Sequence, residues 1–445
     1  MMAERNEAQE YVLAMARESN VKFIRLWFVD ILGNLKGFAI TVEELEDALT
    51  KGVVFDGASI EGFTRISETD MVAMPDPSTF RILPWRPKEN AVARMFCDIL
   101  TPDGQPFPGD PRFVLKRNLQ RAAKKGFTYY VGPEIEFFYL KGLDDLKPLD
   151  RGDYFDQLSI DPTTDMRRDT VLTLREMDIS VKYSHHEGAP GQHEIDLQYT
   201  DALTMADHVM TARTVIKEVA YRHHHYATFM PKPFGDVNGS GMHIHQSLFS
   251  GEDNAFFDDK DPYKMSHIGK RFIAGLIKHA PEITLVTNQW INSYKRLVPG
   301  FEAPIYISWA WINRGDLIRV PAYKPGRPDS VHIEYRAPDP SCNPYLAFSA
   351  MLAVGLAGID GEYETPPALE KSASHMTEDE RREMGIRQLP QSLWDATGHA
   401  ERSGVLAEAL GSPLLETLIQ NKKIEWDKFH SHITDYELQR YLPML

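Results

Sequence analysis

The sequence predicts an α+β protein in two units, a small amino-terminal one over residues 1–107 and a larger one over 108–445. Three observations carry this. At 445 residues the chain exceeds what one compact core usually holds. Short strand-like runs are mixed along it with segments of helical periodicity. The stretch TPDGQPFPGDP, Thr101 to Pro111, has the proline and glycine density of a connector between units.

Taken in order, residues 22–28 (KFIRLWF) alternate as a strand does, and Gly33-Asn34 turns the chain into a second extended run, LKGFAI, ending at Ile40. Thr41 followed by Glu44 has the capping-box spacing, opening a short helix through Leu45, Ala48 and Leu49 that stops at Gly52. After the connector, Asp110-Pro111 starts a helix carrying Val114, Leu115, Leu119 and Ala122. Beyond Gly126 come strands with polar residues on one face, interleaved with helices such as the one after Asp201 with Leu203, Ala206, Val209, Met210, Ile216 and Val219. There is no internal repeat and no low-complexity segment. The internal run His223-His224-His225 reads as a solvated helix end.

Composition excludes several roles. With Lys+Arg 49 against Asp+Glu 64 the formal charge is -15, and no basic block stands out, so nucleic acid is not an expected partner. Cys97 and Cys342 are the only cysteines, too few and too far apart in sequence for a disulfide framework or a zinc cluster, which fits a reducing compartment. The amino terminus, MMAERNEAQEYVLAMARESN, is charged and helix-patterned, and there is no apolar run of about 18 residues. The expectation is a cytoplasmic protein that neither enters nor crosses a membrane.

The chemistry begins in FTYYVGPEIEFFYL, where Glu134 and Glu136 interrupt an apolar strand. Residues i and i+2 share a strand face roughly 7 Å apart, so each carboxylate can lead a separate divalent cation while facing one cavity. A solvent-facing charged strand is the other reading, and Phe137 and Phe138 strain both by breaking the alternation. SHHEGAPGQHEIDLQY adds Glu187 and Glu194, with Glu194, Asp196 and Gln198 alternating against Ile195, Leu197 and Tyr199. Clustered hard oxygen donors suit Mg²⁺ or Mn²⁺. In MPKPFGDVNGSGMHIHQSL, Gly239-Ser240-Gly241 permits close backbone approach to a ligand, and His243 and His245 share a face, as metal or phosphate partners or as hydrogen-bonded structural histidines. Downstream, Arg296, Glu302, Arg314, Arg319, Glu334 and Arg336 gather cations suited to carboxylates and phosphates, with surface ion pairs as the alternative for each. Several arginines beside an acidic cavity imply a polyanionic substrate such as a nucleoside triphosphate, yet there is no Walker-type loop and no usable G-x-G-x-x-G.

Together these motifs resemble type I glutamine synthetases. The resemblance runs from about Val21 to the carboxy terminus through FDGASIEGF, GPEIEFF, the HHE and QHE elements, KPFG and NGSGMHIHQS, SYKRLVPGFEAP, NR, IEYR and PDPSCNPYLA. It implies an amino-terminal β-grasp-like domain, a larger catalytic domain of the glutamine synthetase and guanido-kinase type, and a dodecamer of stacked hexameric rings. It also implies the ATP-dependent condensation of glutamate with ammonium through γ-glutamyl phosphate, with ATP as substrate and two or more Mg²⁺ or Mn²⁺ per subunit. By position, Glu136, Glu187 and Glu194 match the ligands of one metal, and Glu134, His243 and Glu334 those of the other. Glu136, Asn238, Gly239, Arg296, Glu302 and Arg336 match glutamate-site positions. His245, Ser247, Arg314 and Arg319 match nucleotide-contacting ones. Asp56, Ser59 and Glu302 match the ammonium site, which the family builds across a subunit interface, and Asp56, Glu302 and Arg314 fall at catalytic positions.

The sequence also departs from the family. Ala58 stands where serine is usual, His332 where an arginine precedes the metal glutamate by two residues, and Lys182 where a glutamate is frequent five residues before Glu187. Loss of the arginine charge at His332 leaves Arg327 as a compensating group. Ser374 aligns with the tyrosine that adenylylated members carry, and Arg65 with an arginine linked to feedback inhibition by glutamine, which points to the non-adenylylated, alpha-like subgroup. A γ-glutamyl amine ligase acting on a polyamine is the rival activity, against which Asp56 and Glu302 both speak. A catalytically dead homologue is the other, against which the full set of metal ligands speaks.

Overall fold

The computed structural model describes residues 2–62, 70–157, 162–311, 313–369 and 371–445. Arg65 lies outside the described residues. The first sheet has Val21–Val29 between Leu35–Thr41, antiparallel, and Ala91–Leu100, parallel, continuing through Asp70–Pro75 to an edge strand at Val53–Asp56. The expected hairpin is there: Gly33 takes φ 80°, and Asp30 Oδ1 accepts from the Leu32 and Asn34 amides at 3.0 and 2.8 Å.

The strand does not alternate to its end. Phe23 is 47% exposed, whereas Leu26 to Val29 are all buried. Trp27 packs edge-on against Phe96 and Phe28 against Phe55, and just beyond the strand the hairpin is tied to the second unit, where Asn343 Nδ2 donates to the Asp30 carbonyl at 3.0 Å and Gln289 Nε2 to that of Leu32 at 2.7 Å. The capping box at Thr41 does not form. Thr41 still pairs with Phe23 in the sheet, so a 3₁₀ turn over Val42–Glu44 intervenes before the helix Leu45–Lys51, which ends at Gly52 as expected.

Asp110 caps the helix Pro111–Lys124 by accepting from the Arg112 amide at 3.0 Å. The side chain of Arg112 then joins the two sheets' surroundings. It bonds Asp76 at 2.8 Å and Asp98 at 2.6 Å from the first sheet region, and Asp207 at 3.0 Å from the helix Ala202–Arg222.

The second sheet runs in the order Trp309–Trp311, Ile318–Val320, Ile333–Tyr335, Met242–Ser250, Thr128–Leu140, Gln192–Leu197, Val181–His186. Its central strand, Thr128–Leu140, is antiparallel to both neighbours. One face carries Ile135, Phe137, Ile195, Met242, Ile244, Ile318, Ile333 and Tyr335, all buried in the core beneath helices Ala202–Arg222, His267–Thr287 and Pro344–Asp360. The other face carries the polar residues. Phe138 lies on that second face beyond Glu136 and is covered by Phe234 in a small separate cluster with Leu140 and Ala189, which explains how an acidic face tolerates it. His223 ends its helix and pairs with Asp169 at 3.0 Å, the solvated helix end expected. Cys97 and Cys342 are buried free thiols. Among the described residues no helix is long and apolar enough to cross a membrane.

Candidate active site

Register builds the site. Glu134 stands opposite His243 on one neighbouring strand and opposite Asp196 on the other, and Glu136 stands opposite Glu194. His245, Glu334 and Arg319 form a second row across three strands, and His185 extends the Glu194 row to the edge strand. Period-two side chains therefore place five carboxylates and three imidazoles on one sheet face.

Contacts among them are close. Glu134 Oε1 lies 2.7 Å from His245 Nε2, and its Oε2 lies 3.2 Å from His243 Nδ1. His243 is also 3.6 Å from Glu136 and 3.7 Å from Glu334. Glu136 Oε2 accepts from the Gly241 amide at 2.9 Å and from Gln192 Nε2 at 3.0 Å. Glu194 meets His185 Nε2 at 3.1 Å, and Glu187 accepts from the Gly188 amide at 3.0 Å. Arg319 and Arg336 both donate to Glu334.

Burial makes this crowding expensive for negative charge. It pushes Glu136 up to about 7 and, with repulsion from Glu136, Glu187 up to about 8. Glu194 is driven well above the usual carboxylate range by burial and by Glu134, and Asp196 to about 6 by the same causes. Two carboxylates go the other way. Burial opposes it, but the His245 charge and the two histidine hydrogen bonds hold Glu134 far below the usual range, and Arg336 with His245 holds Glu334 near 2. His243 is brought down to about 4 by burial and Arg336, so it is a neutral ligand at neutral pH.

Around this cluster, the Asn238–Gly241 loop is fitted to its place. A Cβ on Gly239 would collide with the Pro231 carbonyl, and one on Gly241 would lie 2.6 Å from Arg296 Nη2. Arg296 is itself buried and donates to the carbonyls of Ala337 and Arg336 at 2.7 and 3.2 Å. Asn238 Oδ1 accepts from the Glu302 amide at 3.2 Å, bringing Glu302 to the rim near Glu187.

Comparison with known proteins identifies this arrangement. The family model for the glutamine synthetase beta-Grasp domain matches residues 20–102, and that for the glutamine synthetase catalytic domain matches residues 108–441. The chain is 51% identical to the glutamine synthetase of Mycolicibacterium smegmatis over 442 residues, covering 98% of this chain and 99% of that one. It is 48% identical to that of Methanosarcina mazei, with 98% of each chain covered, and 47% to that of Thermotoga maritima, with 97% and 99% covered. Two solved structures, "Apo GmaS without ligand" and "GmaS/ADP complex-Conformation 1", superpose with TM-scores of 0.87 and 0.88 at 32% identity, covering 97% of this chain and 99% of theirs.

The chain belongs to the type I glutamine synthetase family. Its activity is ATP-dependent ligation of glutamate and ammonia, and glutamine synthetases generally use a divalent metal together with ATP. The polyamine-ligase alternative is not favoured.

The donor set fits such a metal. Glu134 with Glu194 and His243, Glu134 with His245 and Glu334, and His185 with Glu187 and Glu194 each bring three ligand atoms within 4.8 Å of one another. Carboxylate oxygens and neutral imidazoles suit a hard divalent cation, and raised carboxylates are what a cation's charge relieves. Glu136 stands beside these groups rather than inside one, held by Gly241 and Gln192. His245 is engaged with Glu134, Arg319 with Glu334, Arg314 Nη1 with the Tyr154 hydroxyl at 3.3 Å, and Ser247 with the Tyr199 hydroxyl.

Asp56 and Ser59 are not brought to this face within one chain. Asp56 ends the edge strand of the first sheet and Ser59 closes the 3₁₀ turn after it, where Asp56 accepts from the Ala58 amide at 3.0 Å and Ser59 donates to the Asp56 carbonyl at 3.0 Å. Three residues of the site carried no recognisable sequence signal or were left without a role. His185 shares its strand face with Glu187 at i+2, a spacing that marks it in retrospect. Gln192 belongs to the alternation of Glu194 and Asp196. Tyr154 lies in an irregular loop, and only the fold brings it to Arg314.

Proposed function

We propose that the chain binds two divalent cations, Mg²⁺ or Mn²⁺, on this acidic face, through Glu136, Glu187 and Glu194 for one and Glu134, His243 and Glu334 for the other, and uses them to make glutamine. The observation that supports it most is the pairing of Glu134 and Glu136 with His243 and Glu194 across three strands. When bound, the cations neutralise phosphate and carboxylate charge.

The chain's own residues then divide the work. Asn238, Gly239, Arg296 and Arg336 hold the α-amino acid end of glutamate, with Glu136 and Glu302 beside it. His245, Ser247, Arg314 and Arg319 hold ATP so that the γ-carboxylate of glutamate attacks the terminal phosphoryl group, releasing ADP and forming γ-glutamyl phosphate. Ammonium is attracted by Asp56 and Ser59 of a second copy together with Glu302, gives a proton to a carboxylate, and attacks as ammonia; phosphate leaves and glutamine forms. Glu302, on the rim loop, helps keep water from the acyl phosphate.

Because Asp56 and Ser59 lie away from the acidic face of their own chain, a shared site makes assembly obligatory, and a dodecamer of two hexameric rings is the arrangement we assign. We also assign the boundary between domains to residues 107 and 108, the enzyme to the cytoplasm, feedback control to Arg65, and no adenylylation at Ser374. The experiment is phosphate release from ATP with glutamate and Mg²⁺, comparing ammonium with putrescine, ethanolamine and no amine. Release that depends on ammonium supports the reading, and release with putrescine but none with ammonium would sink it.

A further inference from the structure

Several cations around the acidic face pair with a carboxylate. Arg319 and Arg336 donate to Glu334. Arg327 is exposed and pairs with Asp329 at 3.0 and 2.7 Å, so it does not make up for the charge missing at position 332. Lys232 is buried, yet among the described residues no carboxylate forms an ion pair with it. A buried ammonium without a carboxylate is costly, so the groups its head touches carry the explanation.

Lys232 lies in MPKPFGDVNGSG between two prolines, whose rings fix the backbone on either side. Its amide donates to Asn292 Oδ1 at 2.7 Å and its carbonyl accepts from Asn292 Nδ2 at 3.0 Å, which holds the residue in place. From there the side chain reaches two loops at once. Its ammonium donates to the carbonyl of Val237, the residue before Asn238, and stands 3.3 Å from the ring centroid of Phe301, the residue before Glu302. No other cation over a ring is as near among the described residues. The same two loops meet again one residue further on, where Asn238 Oδ1 accepts from the Glu302 amide at 3.2 Å. The rim loop is otherwise open: Pro299, Gly300 and Glu302 are exposed, and a Cβ on Gly300 would meet nothing within 4 Å.

We propose that Lys232 is a positioning residue for the ammonia step: through Val237 and Phe301 it holds the rim loop, and with it Glu302, against the glutamate loop. This rests on the reading of Glu302 as part of the ammonium site and of its loop as the barrier to water. A neutral donor could serve the Val237 carbonyl, but a cation also attracts the face of an aromatic ring, and burial strengthens that attraction. Without the tie the rim loop opens more often, and water competes with ammonia for γ-glutamyl phosphate. Water then adds to the acyl carbon, the bond from that carbon to the phosphate oxygen breaks, and a proton passes to solvent. Glutamate and phosphate return, with ATP hydrolysed and no glutamine made.

The test measures phosphate released and glutamine formed in the same reaction, with ATP, glutamate, ammonium and Mg²⁺, for wild type, Lys232→Met, Phe301→Leu and the double variant. Met keeps the lysine stem without its charge, and Phe301→Leu removes the ring without touching the buried lysine. A desolvated cation–π contact corresponds to about tenfold in an equilibrium. The expected result is that hydrolysis relative to glutamine formation rises about tenfold in each single variant, and that KM for ammonium rises while KM for ATP holds. The double variant should be no worse than either single one, because both remove the same contact. Hydrolysis unchanged in either folded single variant overturns the proposal, and Phe301→Leu decides it where Lys232→Met does not fold. Effects that multiply in the double variant also overturn it, as does a rise in KM for ATP matching that for ammonium, since Lys232 would then serve the fold at large. Wild type whose phosphate release does not depend on ammonium overturns the reading of the site itself, and this proposal with it.

Discussion

Loading the acidic face with metal should expel protons, and the number follows from the site. Glu187, pushed to about 8, is roughly nine-tenths protonated at pH 7, and Glu136, at about 7, is half protonated. Glu194, raised in the same direction by burial and Glu134, can only add to this count, whereas His243, at about 4, is already a neutral ligand and contributes none. Metal ligands must be deprotonated, so filling both positions at pH 7 releases more than one proton, and apparent affinity rises by more than one power of ten per pH unit near neutrality. Calorimetric titration with Mn²⁺ at pH 7 in buffers of different ionisation enthalpy measures the count directly. At pH 9 it should be lower, because Glu136 and Glu187 are then ionised before the metal arrives. A count of zero at pH 7 would refute the claim that burial and mutual repulsion keep these carboxylates protonated.

Stability without metal should fall as pH rises from about 6.5 to about 8. Folded Glu136, Glu187 and Glu194 retain protons that unfolded glutamates, with their ordinary value of 4.5, have lost, so their contribution is present at lower pH and disappears as they ionise. Below 6.5 the lowered His243 works in the opposite sense, so thermal melts with and without Mg²⁺ should be compared above it; a melting temperature that climbs between pH 7 and 8 without metal contradicts the assignment. Replacing Arg112 with Met removes the shared partner of Asp76, Asp98 and Asp207 and should cost about 3–5 kcal/mol in denaturant unfolding, with a loss below about 1 kcal/mol counting against the network. Gly239→Ala forces the new methyl onto the Pro231 carbonyl and against Arg296, so KM for glutamate should rise at least about tenfold while KM for ATP changes little; equal changes in both would mean that the loop does not serve glutamate selectively.

Parts of this fold were legible from local chemistry. Gly33 and Asn34 marked a turn, Asp110-Pro111 marked a helix start, and both hold because their interactions lie within a few residues. The helix after Asp201 begins where expected for the same reason, with Asp201 accepting from the Thr204 amide at 3.1 Å. Thr41 misled because a capping box and the last residue of a strand look alike in sequence; pairing with Phe23, eighteen residues earlier in the chain, decides between them. Burial of Leu26 to Val29 was likewise invisible, since Trp27 packs on Phe96 and Phe28 on Phe55, both distant in the chain.

At the site the same division applies to charge. Period two was enough to put Glu134 and Glu136 on one face, but strand spacing says nothing about whether that face is wet or buried. Register across the sheet settles it, by stacking His243 and Asp196 on either side of Glu134 and Glu194 beside Glu136. Once buried, neighbouring glutamates behave oppositely: Glu134 keeps its negative charge because two imidazoles donate to it, while Glu136, held by an amide and a glutamine, does not. Two carboxylates of one type, two residues apart, are thus made unequal by their cross-strand partners. Exchanging those partners should exchange the roles. His245→Gln removes the charge that does most to hold Glu134 ionised and should therefore raise the Glu134 carboxyl toward its neighbour, so that metal loading at pH 7 releases more protons than in wild type. A count that stays the same or falls would show that the contact with His243 alone is enough to hold Glu134 ionised.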